Sequence, residues 1–572
     1  MTHPQSPARR SRIRPRFLAV LGLVLVMAAA VGVVRATDEA QERRREKYEN
    51  LKILSEVYDR ILENYVDVMD PKEIMEAGVQ GMLDKLDEHS NYLPPVNYED
   101  LVMSTEGEFG GLGISINVRD HFPTVVSPIE GTPAYYMGIQ GGDQIVEIEG
   151  ESARDFTSQQ AVEKLRGPRG TQVNITVRRP GVAEPIPYTI TRDIIKLESV
   201  PYGFMMGDIG YIRVQNFART TADEMRTKLD ELTAQGMKGL IVDLRFNPGG
   251  LLGAAQAVAE LFLPRDQLIV FTKGRLADQD QSYYSRARGQ VYNKVPMIVL
   301  VNGSSASASE IVAAAIQDHD AGLVVGRTSF GKGSVQTVFR LDEDEALKLT
   351  TARYYTPSGR SIHKERKRHP EEGEDGMPED HADLADEPAD LEVPRSEKEI
   401  FHTDSGRVVY GGGGVTPDIE ITQDFLTDFE VALERDGALF SWAVEFANAH
   451  QGASADWQPT KADFADFKTF LGKRENIEEY LGVFHLALSD SLLDANRDFI
   501  DRGLRREVAR RLNGPQAAYR VAIEADTQLH EALKIFQEAH TLPEMFALAA
   551  KWNEQHLKEL AAQADSVKTA AN

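Results

Sequence analysis

At 572 residues with 42% hydrophobic content the chain is long enough for several domains, and its formal net charge of -25 excludes a nucleic-acid partner held through phosphate contacts. It has no cysteine, which removes disulfides, thiolate metal sites and a cysteine nucleophile together. That suits a reducing compartment, or an exported protein built without bridges.

The N-terminus decides the compartment. Arg9, Arg10, Arg12, Arg14 and Arg16 precede an unbroken apolar run from Phe17 to Val34. At about 1.5 Å per residue that run crosses most of a bilayer core, and Val34-Arg-Ala36 fits a cleavage site. Residues 1–37 therefore read as a signal peptide or a membrane anchor. Either outcome leaves the arginines inside and the rest of the chain outside, in the periplasm or cell envelope.

Residues 38–103 form a charged, helical N-terminal region in which Leu51, Leu54, Val57, Tyr58, Ile61 and Tyr65 recur at three- and four-residue spacing. We expect a simple core face there. From Phe109-Gly-Gly-Leu-Gly-Ile-Ser-Ile116 onward, short strands such as Asp143-Gln-Ile-Val-Glu-Ile-Glu-Gly150 and Gln172-Val-Asn-Ile-Thr-Val-Arg178 surround one helix near 160–166. This order of segments resembles a PDZ domain over roughly 104–192. A glycine-rich turn at Gly111, Leu112, Gly113 and Ile114 can aim backbone N–H groups at a terminal carboxylate, and the strand after it can accept an extended peptide at its edge.

In residues 193–421, Ile209-Gly-Tyr-Ile-Arg-Val214, a helix near 220–235 and Gly239-Leu-Ile-Val-Asp-Leu-Arg245 alternate as strand, helix and strand. The expectation is an α/β layer with mostly parallel pairing. The apolar run Val295-Pro-Met-Ile-Val-Leu-Val301 then leads through Asn-Gly-Ser-Ser-Ala-Ser-Ala-Ser-Glu310 into Ile311-Val-Ala-Ala-Ala-Ile-Gln317. Strand, tight turn and helix in that order present a hydroxyl at a helix N-terminus, where free N–H groups and the helix dipole favour developing negative charge. A serine there needs a base. Lys332 lies 25 residues after Ser307 between Gly331 and Gly333. Acting as a base near neutral pH requires its charged form to be disfavoured by about 4 kcal/mol, which burial beside Phe330 and Val335 would supply. Gln336 can hold the amine through its side-chain oxygen without adding a charge.

Three rivals fare worse. Gly326 to Lys332 matches the first seven positions of a phosphate loop, but Gly333 replaces the magnesium-binding Ser or Thr, and Val335 to Leu341 alternates like a strand. Asp243 and Arg245 suggest a Ser-His-Asp triad, yet His319 stands three helical turns from Ser307, about 18 Å away. His530-Glu531 is followed by Lys534 where a zinc site needs histidine. No metal, nucleotide or other cofactor is called for.

Residues 371–392 hold eleven Asp or Glu and no Lys or Arg, so an acidic, disordered insertion is expected at about 363–400 within the body. Residues 422–572 show only amphipathic helical patterns, such as Phe464, Phe467, Phe470 and Leu471, and read as an accessory helical domain.

Ser-Ala-Ser-Ala-Ser-Glu at 305–310, Phe-Gly-Lys-Gly at 330–333 with Gln336, and Asp-Leu-Arg-Phe-Asn-Pro-Gly-Gly at 243–250 together resemble the carboxy-terminal processing, or tail-specific, proteases. The resemblance runs from about 45 to 421 and implies Ser307, not Ser305 or Ser309, as nucleophile, Lys332 as base and Gln336 as its holder. It implies an oxyanion hole from the N–H of Ala308 with that of Gly249 or Gly250, and helices before the PDZ domain that often assist dimer formation. His89, in the turn Leu86 to Leu93, is then structural, and Arg166 at the PDZ helix end is a candidate coupling residue. The fold class expected is an α/β multidomain chain: membrane segment and helices, PDZ domain, α/β protease core and a C-terminal all-α region. The function implied is a serine endopeptidase that takes unstructured protein C-termini. The alternative is a non-catalytic PDZ scaffold that binds peptides.

Overall fold

The computed structural model describes residues 45, 48–286, 289–342, 344–364, 398–450, 457–474 and 476–555. The expected membrane segment and nearly all of the acidic insertion lie outside the described residues. No helix among the described residues is long and apolar enough to cross a membrane.

The chain divides between Tyr92 and Leu93 into two units. In the first, residues 48–64 are helical, and Asp70 caps the helix Pro71–Leu83 by accepting the Lys72 N–H at 2.6 Å. The apolar stripe keeps its spacing, but the core face expected from it is not closed: Leu51, Leu54, Val57 and Tyr65 are exposed. Periodicity fixes which side chains share a face, and says nothing of what covers that face. At the following turn, the His89 N–H donates to Asp87 at 2.8 Å.

In the second unit, a strand pair between Glu108–Gly111 and Asp193–Lys196 returns the chain to where it left the body. Between them lies an antiparallel sheet in the order Ile114–Arg119, Phe122–Pro128, Gln144–Ile148, Gln172–Arg178 and Ile186–Thr191. The helix Ser158–Leu165 packs on it, opened by a capping box in which Thr157 and Gln160 satisfy each other's N–H groups. Val125, Ile145, Ile148, Val173 and Val177 alternate inward to make its core.

The body is a six-stranded sheet in the order Tyr202–Met206, Ile209–Arg213, Gly239–Asp243, Met297–Val301, Leu323–Gly326 and Ile419–Glu420. The first pair is antiparallel and the rest are parallel. Parallel strands need cover on both faces, and the side chains divide accordingly. Leu240, Val242, Val299, Val301 and Val324 share a core with the helices Thr221–Ala234, Leu252–Ala259 and Ala308–Asp318. Ile241, Ile298, Leu300, Leu323 and Val325 face the other way, onto Leu529, Ala532, Ile535, Phe536 and Met545.

That second layer revises the accessory reading of the C-terminal region. The helix Thr527–Glu538 completes the α/β sandwich, while Trp442, Phe467, Ile500 and Leu504 build a separate helical core. This helical part also braces the PDZ domain. The Arg119 guanidinium donates to the Gly437 carbonyl at 3.1 Å and lies 4.5 Å over the Phe440 ring.

Candidate active site

The strand Met297–Val301 delivers the chain into the turn that precedes the helix Ala308–Asp318, and the three serines there have different surroundings. Ser305 is buried, with its hydroxyl donating to the Leu244 carbonyl at 2.8 Å and accepting the Asn302 N–H at 2.9 Å. Ser309 is buried and donates to the Asn247 carbonyl at 3.0 Å. Ser307 is half-buried and its hydroxyl does not cap the helix. Its backbone has φ 54° and ψ -110°, outside the regions open to a residue with a Cβ, at a cost on the order of 1–3 kcal/mol.

The turn Asn247-Pro-Gly-Gly250 is stitched to the serine turn. The Asn247 carbonyl accepts the Ala306 N–H at 3.0 Å as well as the Ser309 hydroxyl, and the Asn247 Nδ2 donates to Val214 O at 3.0 Å. Gly249 has φ +104°, and a Cβ built on it would lie 2.8 Å from Ser307 Cβ and 3.0 Å from Ala308 N. Only a glycine brings this backbone so close to the serine. The Gly249 N–H itself donates to Asn247 Oδ1 at 2.9 Å, so it does not point into the site. Among the described residues, the N–H groups of Gly250 and Ala308 have no such partner.

Lys332 is half-buried. Its loop is tied to the serine turn by the Phe330 N–H, which donates to the Ser305 carbonyl at 3.0 Å. The chain after it forms the strand Ser334–Arg340, against the helix that a phosphate loop demands. On that strand Gln336 Nε2 donates to Ser334 Oγ at 2.8 Å and to Thr350 Oγ1 at 3.4 Å. Among the described residues, no hydrogen bond joins Gln336 to Lys332 or Lys332 Nζ to the Ser307 hydroxyl.

Sequence reasoning missed the group that joins these segments. Glu310 is fully buried, and its Oε2 accepts the N–H of Ser307 at 2.8 Å and of Lys332 at 2.9 Å. Its Oε1 accepts the Ser329 hydroxyl at 2.6 Å and the Gly331 N–H at 2.7 Å. Burial pushes this carboxyl up to about 7, against the lowering effect of those four bonds. The signal was available: a serine followed three residues later by glutamate at a helix start is the capping-box pattern. Tyr354 is buried too, and its hydroxyl donates to the carbonyls of Ser307, at 3.2 Å, and of Lys332.

Asp243 and Arg245 belong to a different network. Burial by itself would raise the Asp243 carboxyl, but the charges of Arg245 and Arg213 hold it well below the usual range. Arg245 also reaches Asp526 at 2.6 Å and Gln528 at 3.0 Å, which fastens the C-terminal helix to the strand end. His319 lies against Asp404 at 2.8 Å and the Leu268 carbonyl at 2.6 Å, away from the serine turn.

In the PDZ domain the strand Ile114–Arg119 occupies one edge of the sheet. The Ile129 N–H donates to the Gly113 carbonyl at 2.8 Å and Ile114 opposes Pro128, a pairing that turns the Ile114 N–H toward the open edge. Gly113 has φ +79°, Leu112 is buried, and Gly111 is paired with Asp193 in the neighbouring strand pair. Arg166 donates to Asp100 at 2.6 Å and lies 5.2 Å over the Phe109 ring.

Comparison with known proteins agrees with this layout. Residues 208–370 match the model of peptidase family S41, 124–179 that of the PDZ domain, and 24–94 that of the activating protease CtpB N-terminal domain. The chain is 41% identical over 341 residues to the carboxy-terminal-processing protease of Bartonella bacilliformis, covering 59% of this chain and 78% of that one. It is 36% identical over 302 residues to the carboxyl-terminal-processing protease of Synechocystis, covering 51% and 69%. Among solved structures, a photosystem II D1 C-terminal processing protease aligns at 28% identity and a TM-score of 0.32, over 53% of this chain and 82% of that one.

Proposed function

This chain belongs to the carboxy-terminal-processing proteases, serine endopeptidases of family S41, and from that premise we propose a Ser-Lys mechanism acting on protein tails held by the PDZ domain. In this reading the Ser307 hydroxyl attacks the scissile carbonyl. Lys332 takes the hydroxyl proton and returns it to the leaving amine; a water then repeats the sequence on the acyl ester. The N–H groups of Ala308 and Gly250 accept the negative charge that forms on the carbonyl oxygen. The Gln336 Nε2 is engaged by Ser334 and Thr350, so in the reacting enzyme Oε1 is the atom with which Gln336 would take hold of the lysine, a bond not formed among the described residues of this structure.

The observation that carries the assignment is the contrast among three serines. The hydroxyls of Ser305 and Ser309 are committed to backbone groups, whereas Ser307 sits at a helix N-terminus in a strained conformation beside two N–H groups that have no partner among the described residues. Ser307→Ala and Lys332→Ala should each fold and each abolish cleavage of an unstructured, apolar-ended polypeptide. A fluorophosphonate should label the parent at Ser307 alone. Cleavage by either purified variant at the parent rate would overturn the mechanism.

A free C-terminus would add a strand at the open edge of Ile114–Arg119, with its carboxylate on the turn from Gly111 to Ile114. The helix Ser158–Leu165 flanks that edge and ends at Arg166, so a seated tail bears on the contact of Arg166 with Asp100 and Phe109. We place the chain outside the cytoplasm on the strength of its arginine-flanked apolar N-terminus, exported or membrane-tethered. Comparing cellular C-termini made by the parent and by Ser307→Ala would identify the substrates.

A further inference from the structure

We propose that Glu310 and Tyr354 are positioning residues for the reaction, a carboxylate and a phenol that together fix the backbone on both sides of Ser307 and of Lys332. The inference rests on the assignment of those two residues as nucleophile and base.

One carboxylate oxygen, Oε2 of Glu310, accepts the N–H groups of both Ser307 and Lys332, at 2.8 and 2.9 Å. One phenol oxygen, that of Tyr354, donates to the carbonyls of the same two residues. An N–H before a Cα and a C=O after it define the two peptide planes that flank it. Holding both sets φ and ψ, and with them the direction of the Cβ. For Ser307 this matters because φ 54° and ψ -110° do not persist without support. For Lys332 it matters because Gly331 and Gly333 on either side leave the loop little stiffness of its own. The pair thus aims two side chains 25 positions apart in the chain through two shared atoms.

The clamp requires a carboxylate. All four bonds to Glu310 come from donors, since Val415 N–H donates to Ser329 Oγ at 2.7 Å and so leaves the Ser329 proton for Glu310. A protonated carboxyl or an amide would set a donor against two of them. The titratable groups beside Glu310 are Lys332, whose N–H it binds, and Tyr354, whose hydroxyl burial and the Glu310 charge push well above its ordinary range.

Three variants test the idea: Glu310→Gln, Tyr354→Phe and the double substitution. A nucleophile and base displaced by about 1 Å lose on the order of 100-fold in rate, so kcat should fall by roughly that factor in Glu310→Gln and about tenfold in Tyr354→Phe. KM for a tail peptide should stay within twofold. The double variant should lose less than the product of the two, because both act on one geometry. In Glu310→Gln the acid limb of the pH profile should lose the protonation near 7 that belongs to Glu310. Should Glu310→Gln fail to fold, the isosteric Tyr354→Phe decides alone. Full kcat in Tyr354→Phe, or additive losses with an unchanged pH limb, would overturn the proposal. If Ser307→Ala or Lys332→Ala stays active, the underlying mechanism fails; if those are dead and the clamp variants are not, only this inference fails.

Discussion

Gly249→Ala should disable the protease without touching its capacity to bind tails. Alanine at φ +104° adopts a conformation that costs about 1–2 kcal/mol by itself. Its Cβ would also stand 2.8 Å from both Ala306 O and Ser307 Cβ, and 3.0 Å from Ala308 N. Two of those atoms belong to backbone held by Asn247 and Glu310, so neither can yield alone. The nearest relief is for the turn Asn247 to Gly250 to withdraw, which carries the Gly250 N–H out of reach of the oxyanion. Losing one such donor raises the barrier by about 3–4 kcal/mol, a fall of roughly 100- to 1000-fold in kcat. The assay is steady-state cleavage of an unstructured polypeptide, with tail affinity followed separately by fluorescence anisotropy of a labelled C-terminal peptide. The peptide Kd should not change, because the groove at Ile114–Arg119 is built by another sheet. A kcat within threefold of the parent would refute the reasoning.

Two further outcomes follow from burial. Because Glu310 titrates near 7 in the folded protein and near 4.5 when solvated, the native chain keeps a proton between those values that the unfolded chain has lost. Its contribution to stability is therefore full below about 4.5 and falls as pH rises to 7, by about 3 kcal/mol in all. Urea unfolding at stepped pH should show that slope in the parent and not in Glu310→Gln; equal slopes would contradict the burial. Phe536→Ala empties a side chain packed at Gly239 in the layer beneath the sheet, and should cost about 3–5 kcal/mol with loss of protease activity. A melting temperature unchanged to within a degree would mean that the C-terminal helix is an appendage after all.

Much of the site was legible because its chemistry is local. The glycines around Lys332, the small residues before Ser307 and the strand-like alternation after Lys332 are each written within a dozen positions. Asn247-Pro-Gly-Gly250 marked a turn, but which glycine N–H stays unengaged depended on the Asn247 side chain folding back onto Gly249. Glu310 carried a helix-start signal, yet its other three partners, Ser329, Gly331 and Lys332, come from a loop that sequence spacing does not bring near. Nothing in the local pattern marked Tyr354, because the carbonyls it binds, those of Ser307 and Lys332, lie 47 and 22 positions earlier in the chain.

By itself the sequence determined the order of strands and helices, the glycine-rich turns and the residue types that acyl transfer needs, because these follow from short-range sterics and the periodicity of apolar side chains. Tertiary structure alone decided which helices cover the second face of the parallel sheet, and which buried carboxylate joins the turn at Ser307 to the loop at Lys332. Parallel strands must be covered on both faces and buried acceptors must find donors, but neither requirement names the distant segment that meets it.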